Sequence, residues 1–190
     1  MMTPLLFNLK NKRVLVVGGG KVATRRILTL FENGARVVCV SPEFSHCLVK
    51  TQDEGLKLVK DTYNCDQLEG IDLVVAATNS EAINAQVKKD CKGLGIWCNR
   101  VDSPDDSDFI FPSVIRRGDL TLSVCTEGAS PFLTKAIVED LSRSYDESYI
   151  ERTALLRECR KRILEKGDNS QNLKDLAHCS IEELKEQLKK

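Results

Sequence analysis

A glycine-rich turn near the start of the chain restricts the fold more than any other feature. The stretch VVGGGKVATRR places Gly18, Gly20 and Ala23 between a short apolar run and an amphipathic segment. In a Gly-x-Gly-x-x-Ala turn, the first glycine permits the tight turn, the second admits a pyrophosphate, and the small third residue lets helix and strand pack closely. The stretch lacks the Gly-Lys-Ser/Thr ending of a P-loop. It therefore predicts a strand–turn–helix unit that binds a dinucleotide.

Strand and helix patterns alternate through the first hundred residues. Val-rich runs that are apolar throughout are typical of parallel strands covered on both faces, and the segments between them have helical spacing. Because parallel strands are joined by right-handed crossovers, the pattern predicts an α/β fold with a Rossmann-type doubly wound parallel sheet. The predicted strands are residues 13–17, 35–40, 56–59, 72–77 and 96–98, and the predicted helices are residues 21–33, 44–54 and 81–92.

The pattern changes after residue 112. Residues 113–117 and 120–125 have the composition of two strands around a Gly-containing turn. Ser130 followed by Pro131 is typical of a helix start, because Ser suits the N-cap and Pro the first helical position. This part of the chain predicts a small α+β region rather than a continuation of the parallel sheet.

The C-terminal part of the chain is charged and helical. A break is expected at residues 167–169, and Ser180 with Glu183 forms a capping-box pattern that starts the last helix. The basic residues here alternate with acidic ones at helical spacing, which indicates a solvated face rather than a nucleic-acid site. We therefore expect three regions: a Rossmann domain over 1–112, a small α+β region over 113–146 and a helical domain over 147–190.

Charge and composition exclude several classes of protein. The 190 residues include 28 Lys+Arg and 28 Asp+Glu, so the formal net charge is zero and nothing predicts a nucleic-acid or membrane partner. No apolar run approaches the roughly 20 residues that span a bilayer. Eight cysteines form no zinc-binding spacing, and Cys39, Cys98 and Cys125 lie in strand-like runs. With no secretory signal at the start, we expect buried reduced thiols and a cytoplasmic protein.

The residues after the second and fourth strands refine the cofactor prediction. The second strand ends at Ser41, Pro42 and Glu43 rather than at the usual ribose-binding acid, and no arginine follows to hold a 2′-phosphate. Ser41 or Glu43 could reach the ribose. Thr78 and Asn79 follow the fourth strand at the same carboxyl edge, where a dinucleotide lies. The residues after the second strand, with no arginine among them, favour NAD over NADP.

An acidic stretch, NRVDSPDDSDFIFPS over residues 99–113, follows the fifth predicted strand. Its spacing does not fit a calcium loop. Asp105, Asp106 and Asp108 are typical of solvated turn residues. Asp102 directly follows the strand beside the expected nicotinamide, where a dehydrogenation needs one group to take a proton. The local sequence leaves a structural turn role for Asp102 open.

The chain resembles the precorrin-2 dehydrogenase family, the NAD-dependent module of siroheme synthase. The resemblance rests on VLVVGGGKVATRR, VAATN, CNRVDSPDDSDFIFPS and LSVCTEGASPFLTKAI. It implies NAD⁺-dependent oxidation of precorrin-2 to sirohydrochlorin by a homodimer, with residues 113–146 in dimerisation. By motif, it implies a catalytic role for Asp102 and cofactor binding by Gly18, Gly20, Lys21, Val22, Pro42, Glu43, Thr78 and Asn79.

The implied substrate is a large macrocycle with many carboxylates, so cationic groups and free N–H donors are needed to bind it. Arg116 precedes the turn between the last two strands, Ser130 stands at a helix N-terminus, and Lys135 lies one turn further along. We predict substrate contacts from this set. For each residue, surface charge or helix capping is an equally good explanation.

Two other functions stay open. Some members of the family also insert Fe²⁺ into sirohydrochlorin, and Asp102 could serve both reactions. The chain has only two histidines, His46 and His178, which argues against a dedicated metal site. The other alternative is a non-catalytic regulatory module that senses NAD(H), against which the specificity of the 99–113 motif argues.

Overall fold

The computed structural model describes residues 2–51, 55–165, 167 and 170–189. The chain forms two compact units, Met1–Phe111 and Pro112–Lys190. The predicted boundary at residue 147 stays a prediction. In the described part of the chain, no helix has the length and apolar character needed to cross a membrane.

The first unit is built on a five-stranded parallel sheet, which confirms the predicted Rossmann-type fold. The strand order is β3-β2-β1-β4-β5, so the order reverses between β1 and β4, where such sheets bind ligands. β1 lies at the centre, and four of its five residues are buried because both faces are covered. The strands are β1 Arg13–Val17, β2 Arg36–Val40, β3 Leu56–Val59, β4 Leu73–Ala76 and β5 Trp97–Arg100.

Three helices, α1 Lys21–Glu32, α2 His46–Lys50 and α3 Glu81–Leu94, connect these strands. Alternate residues of β1 point to opposite faces: Val14 and Val16 pack in the cluster that includes α1. Leu15 and Val17 pack in the cluster that includes α3. The strand-helix packing holds the N-termini of α1 and α3 at the carboxyl edge of the sheet.

Several element boundaries differ from the sequence prediction by one or two residues, and α3 continues to Leu94 rather than residue 92. α2 begins at His46 rather than residue 44, because Ser45 Oγ accepts a hydrogen bond from Leu48 N at 3.4 Å and caps the helix. The predicted end of this helix, residues 52–54, lies outside the described residues. β5 extends to Arg100 rather than residue 98, because residues 99 and 100 continue the parallel ladder with β4.

The second unit pairs a two-stranded antiparallel sheet with helices. β6 Ser113–Arg117 and β7 Leu120–Val124 form the hairpin. The helices are α4 Pro131–Ser144, α5 Ser148–Glu165, α6 Ser170–Asp175 and α7 Ile181–Gln187. Ser180 and Glu183 form the predicted capping box, with Ser180 N donating to Glu183 Oε2 at 2.7 Å. Sequence reasoning missed α6, and Cys125, which we expected to be buried, is exposed.

Candidate functional site

A groove of about 680 Å³ opens at the carboxyl edge of the first unit's sheet. Its volume is in the range of ligand sites. The groove brings together seven of the eight predicted cofactor residues: Gly18, Gly20, Lys21, Pro42, Glu43, Thr78 and Asn79. The eighth, Val22, does not line the groove and is 42% exposed on α1.

The glycine turn has the geometry that a pyrophosphate requires. Gly18 has a φ of +117°, and a Cβ atom there would lie 2.4 Å from the Ala77 carbonyl oxygen. A Cβ on Gly20 would meet no atom within 4 Å, so its absence keeps open space in front of α1. The first turn of α1 has neither a side-chain cap nor an acidic residue. Its free N–H groups and the positive end of its dipole fit the phosphates of NAD.

The adenosine side of the groove is acidic. Glu43 follows β2 and Asp61 follows β3, whereas Lys21 stands at the start of α1. Carboxylates here disfavour the 2′-phosphate of NADP, which agrees with the predicted preference for NAD. Sequence reasoning missed Asp61 and its neighbour Tyr63, although their position just after a parallel strand was a usable signal. Tyr63 OH donates to Asp90 Oδ2 at 3.0 Å.

A fully buried amide supports the turn after β4. Asn84 Oδ1 accepts from Thr78 N at 3.1 Å and from Thr78 Oγ1 at 2.8 Å, and Asn84 Nδ2 donates to Thr78 O at 3.2 Å. Asn84 is 0% exposed, so these bonds are formed away from competing water. Sequence reasoning missed Asn84; the signal was an Asn on the helix face that also carries Val87 and Cys91.

Asp102 lies just past β5, held by the guanidinium of Arg100. Arg100 Nη2 lies 2.8 Å from Asp102 Oδ2, and Arg100 Nε donates to Oδ1 at 3.3 Å. Hydrogen bonding to Arg100 holds the pKa of Asp102 below its usual value, with a smaller contribution from Asn84. The Asp102 side chain is 27% exposed and does not line the groove. It is therefore an ionised carboxylate that solvent can reach at neutral pH.

Asp106 and Asp108 are paired, which corrects the expectation of simple solvated residues, whereas Asp105 is exposed. Arg100 Nη1 also pairs with Asp106 Oδ2 at 2.8 Å. Asp108 pairs with Lys88 Nζ at 2.6 Å, and its Oδ2 accepts from Cys98 N at 2.8 Å on the outer edge of β5. Asp106 thus links the acidic stretch to Arg100 of β5, and Asp108 links it to Lys88 of α3. Asp108 also provides a hydrogen-bond partner for the edge of β5, whose outer N–H groups face no neighbouring strand of the described sheet.

The predicted substrate residues belong to the second unit. Arg116 is an exposed residue of β6. Ser130 Oγ accepts from Leu133 N at 3.1 Å and caps α4. Lys135 Nζ lies 3.8 Å from Glu139 Oε1, and the lysine side chain is 76% exposed. Their contact with substrate stays a prediction. Within the described residues, no three His, Cys, Asp or Glu side chains form a group able to hold a metal ion.

Known proteins match this architecture over most of its length. Residues 5–113 match the family model of NAD(P)-binding proteins. A precorrin-2 dehydrogenase from Priestia megaterium is 39% identical over 160 residues, covering 84% of this chain and 79% of the relative. A siroheme synthase from Psychrobacter sp. (strain PRwf-1) is 39% identical over 144 residues, covering 73% of this chain.

The solved structure of SirC, a precorrin-2 dehydrogenase, superposes with a TM-score of 0.80 at 33% identity, covering 99% of this chain and 98% of that one. The chain spans only 29% of the Psychrobacter siroheme synthase, so the match concerns one part of that longer protein. The groove and its glycine turn lie within the matched segments. The chain belongs to the precorrin-2 dehydrogenase family.

Proposed function

We propose that the protein oxidises precorrin-2 to sirohydrochlorin with NAD⁺, as a step in siroheme biosynthesis. The observation that carries this proposal is the groove at the β1/β4 switch point, with its open glycine turn, in a chain 39% identical to a precorrin-2 dehydrogenase. The reaction removes a hydride and a proton from the substrate. NAD⁺, when bound, supplies the hydride acceptor.

The chain's own residues bind and orient the cofactor. When NAD⁺ is bound, the first turn of α1 and Lys21 would hold the pyrophosphate, Pro42 and Glu43 would hold the adenosine ribose, and residues 78–79 would line the nicotinamide side. The groove is lined by Lys21, Pro42, Glu43 and residues 78–79. Thr24 Oγ1 donates to the Gly20 carbonyl at 2.8 Å, which keeps the glycine turn in place. The contacts of Asn84 with Thr78 keep the opposite wall rigid.

Asp102 is the proposed general base. It accepts the proton that leaves the substrate and passes it to solvent, which reaches its carboxylate. Because Arg100 lowers the pKa of Asp102, the carboxylate is ionised at any pH near neutrality and is ready to accept a proton. The same pairing makes it a weak base, so the proton does not stay on Asp102 after the transfer.

The test is an anaerobic assay with purified protein, enzymatically generated precorrin-2 and NAD⁺. Sirohydrochlorin and NADH are followed by absorbance, before and after addition of Fe²⁺. Equal amounts of both products, formed only with NAD⁺, support the proposal. Iron insertion faster than the uncatalysed rate would establish the bifunctional alternative. Stoichiometric NAD binding without oxidation would contradict the proposal and favour the sensing module.

We also propose that the protein acts as a cytoplasmic homodimer. Support for dimerisation comes from the family resemblance and from large apolar side chains exposed on the second unit. These are Val114 at 45%, Leu133 at 53% and Phe132 at 85% exposure. Sedimentation equilibrium at micromolar concentration measures the assembly, and a purely monomeric species would contradict it.

A further inference from the structure

Arg26 is a half-buried cation of the first unit that has no anionic partner among the described residues. Arg26 lies on α1, one helical turn beyond Val22, and its Nε is buried without a hydrogen-bond partner. Among the residues that the structure describes, no side chain forms a hydrogen bond or an ion pair with this guanidinium. Burial, with a smaller effect of the neighbouring Arg25, lowers the pKa of Arg26 to about 10. A half-buried charge without an anion is unfavourable unless a ligand supplies one.

The guanidinium lies against an aromatic surface. Its Cζ is 4.3 Å from the centroid of the Phe111 ring, which is a cation–π distance. Phe109 and Phe111 are both partly buried, and their ring centroids are 5.6 Å apart. We name these two side chains the aromatic wall. The contact with Phe111 restrains the guanidinium of Arg26, so this group loses little freedom when it binds a ligand.

A second buried polar atom without a partner in the described part of the chain belongs to Asn99, which is hydrogen-bonded to the backbone of Phe109. Asn99 is 4% exposed, and its Nδ2 donates to Phe109 O at 2.9 Å. Its Oδ1 is buried and accepts no hydrogen bond from the described residues. Asn99 precedes Asp102 by three residues, at the carboxyl end of the same strand. Arg26 thus contacts Phe111 and Asn99 contacts Phe109, and each of these two polar residues carries a buried atom without a partner among the described residues.

We propose that Arg26 binds a carboxylate of the tetrapyrrole substrate, with the aromatic wall contacting the macrocycle. This inference rests on the proposed function. A macrocycle that is apolar on its faces and carries carboxylates at its rim matches a fixed guanidinium beside aromatic rings. Arg26 is thus a specificity-determining residue for the substrate and does not touch the cofactor phosphates, because it does not line the groove.

The test compares Arg26→Gln with Arg25→Gln, its matched control. Arg25 is an exposed residue of the same helix, so both variants lose one positive charge from α1. We expect Arg26→Gln to raise KM for precorrin-2 about 10- to 100-fold, the range for losing a hydrogen bond to a charged group, with kcat changed less than about threefold. NAD⁺ affinity should be unchanged in both. Equal effects of the two variants would overturn the inference.

Binding of uroporphyrin III, an octacarboxylate macrocycle, gives a readout that needs no turnover. Fluorescence titration should show binding by the wild type that weakens about tenfold or more in Arg26→Gln. Arg26→Met replaces the arginine with an unbranched side chain that can pack on Phe111 but carries no charge. If Arg26→Met binds uroporphyrin like the wild type, the role is packing and the inference fails. Arg26-dependent binding by a protein that does not oxidise precorrin-2 would support the inference and refute the proposed function.

Discussion

Two loops at the carboxyl edge of the same sheet are built by opposite means. The glycine turn, residues 18–20, depends on missing side chains: one position needs a positive φ, and another leaves space before a helix. The acidic stretch after β5 depends on side chains that pair, with Arg100 bridging Asp102 and Asp106. Backbone sterics determine the first loop, and ion pairs between side chains determine the second. The glycine turn can therefore be recognised from a short motif, whereas the ion pairs of the acidic stretch cannot.

The largest expected effect separates chemistry from cofactor binding. Asp102→Asn should lower kcat for precorrin-2 oxidation by roughly 10²–10⁴-fold, because the amide cannot accept the proton. NAD⁺ affinity, measured by calorimetry, should change little since Asp102 does not line the groove. Asp105→Asn is the control, because Asp105 is an exposed residue of the same stretch. Full activity of Asp102→Asn would show that Asp102 is not the general base.

Two alanine substitutions test the glycine turn. Gly18→Ala should destabilise the protein by roughly 1–3 kcal/mol from backbone strain alone, with the overlap on Ala77 O adding to it. Gly20→Ala should cost at most about 1 kcal/mol, because its backbone is extended and its Cβ meets no protein atom. It should nevertheless weaken NAD⁺ binding about tenfold or more. Chemical denaturation measures the stability of both variants, and titration measures their affinity for NAD⁺. Wild-type affinity of Gly20→Ala would show that the space beside Gly20 does not hold the pyrophosphate.

Arg100→Met tests the electrostatic construction of the acidic stretch. Loss of the ion pairs from Arg100 to Asp102 and Asp106 should lower the free energy of unfolding by about 2 kcal/mol at pH 7. The pKa of Asp102 is lowered in the folded protein, so its stabilisation is present above the unfolded value of roughly 3.9 and disappears as pH falls through the folded value. The difference between wild type and Arg100→Met should therefore be constant above about pH 5 and shrink below about pH 4.

The exposed ion pair of Lys12 with Asp72 provides the control for Arg100→Met. Its side chains are 51% and 37% exposed, so Lys12→Met should cost less than about 1 kcal/mol at pH 7. If Arg100→Met costs no more than Lys12→Met, the bridge does not hold the acidic stretch.

A smaller effect than that of Arg100→Met is expected at the edge of β5. Asp108→Ala should cost about 1 kcal/mol, because it removes the Lys88 pair and the acceptor for Cys98 N. Asp108→Asn should recover part of that loss, since its amide oxygen can still accept from Cys98 N. Urea denaturation resolves the two variants. An unchanged stability of Asp108→Ala would show that water replaces the carboxylate at this edge.

Much of the cofactor site could be predicted because its signals are local. Apolar runs predicted the parallel strands, and the glycine spacing predicted the turn, because both depend on neighbours within a few residues. Seven predicted residues line one groove for the same reason: parallel strands end at one edge. Asp61 was missed although it lies just after a parallel strand. Asn84 was missed because its role depends on how the turn at Thr78 folds back onto α3.

The sequence by itself determined the Rossmann unit, the glycine turn, the capped starts of α4 and α7, and the family resemblance. Each depends on short-range sterics, hydrogen bonds or an ordered set of motifs. Only the tertiary structure decided which aspartates of the acidic stretch are paired and that the half-buried Arg26 lies against an aromatic ring, with no anionic partner among the described residues. Arg100 meets Asp102 and Asp106, whereas Arg26 meets a phenylalanine 85 positions away. Pairing of charges depends on distances between side chains in space, which residue spacing does not encode.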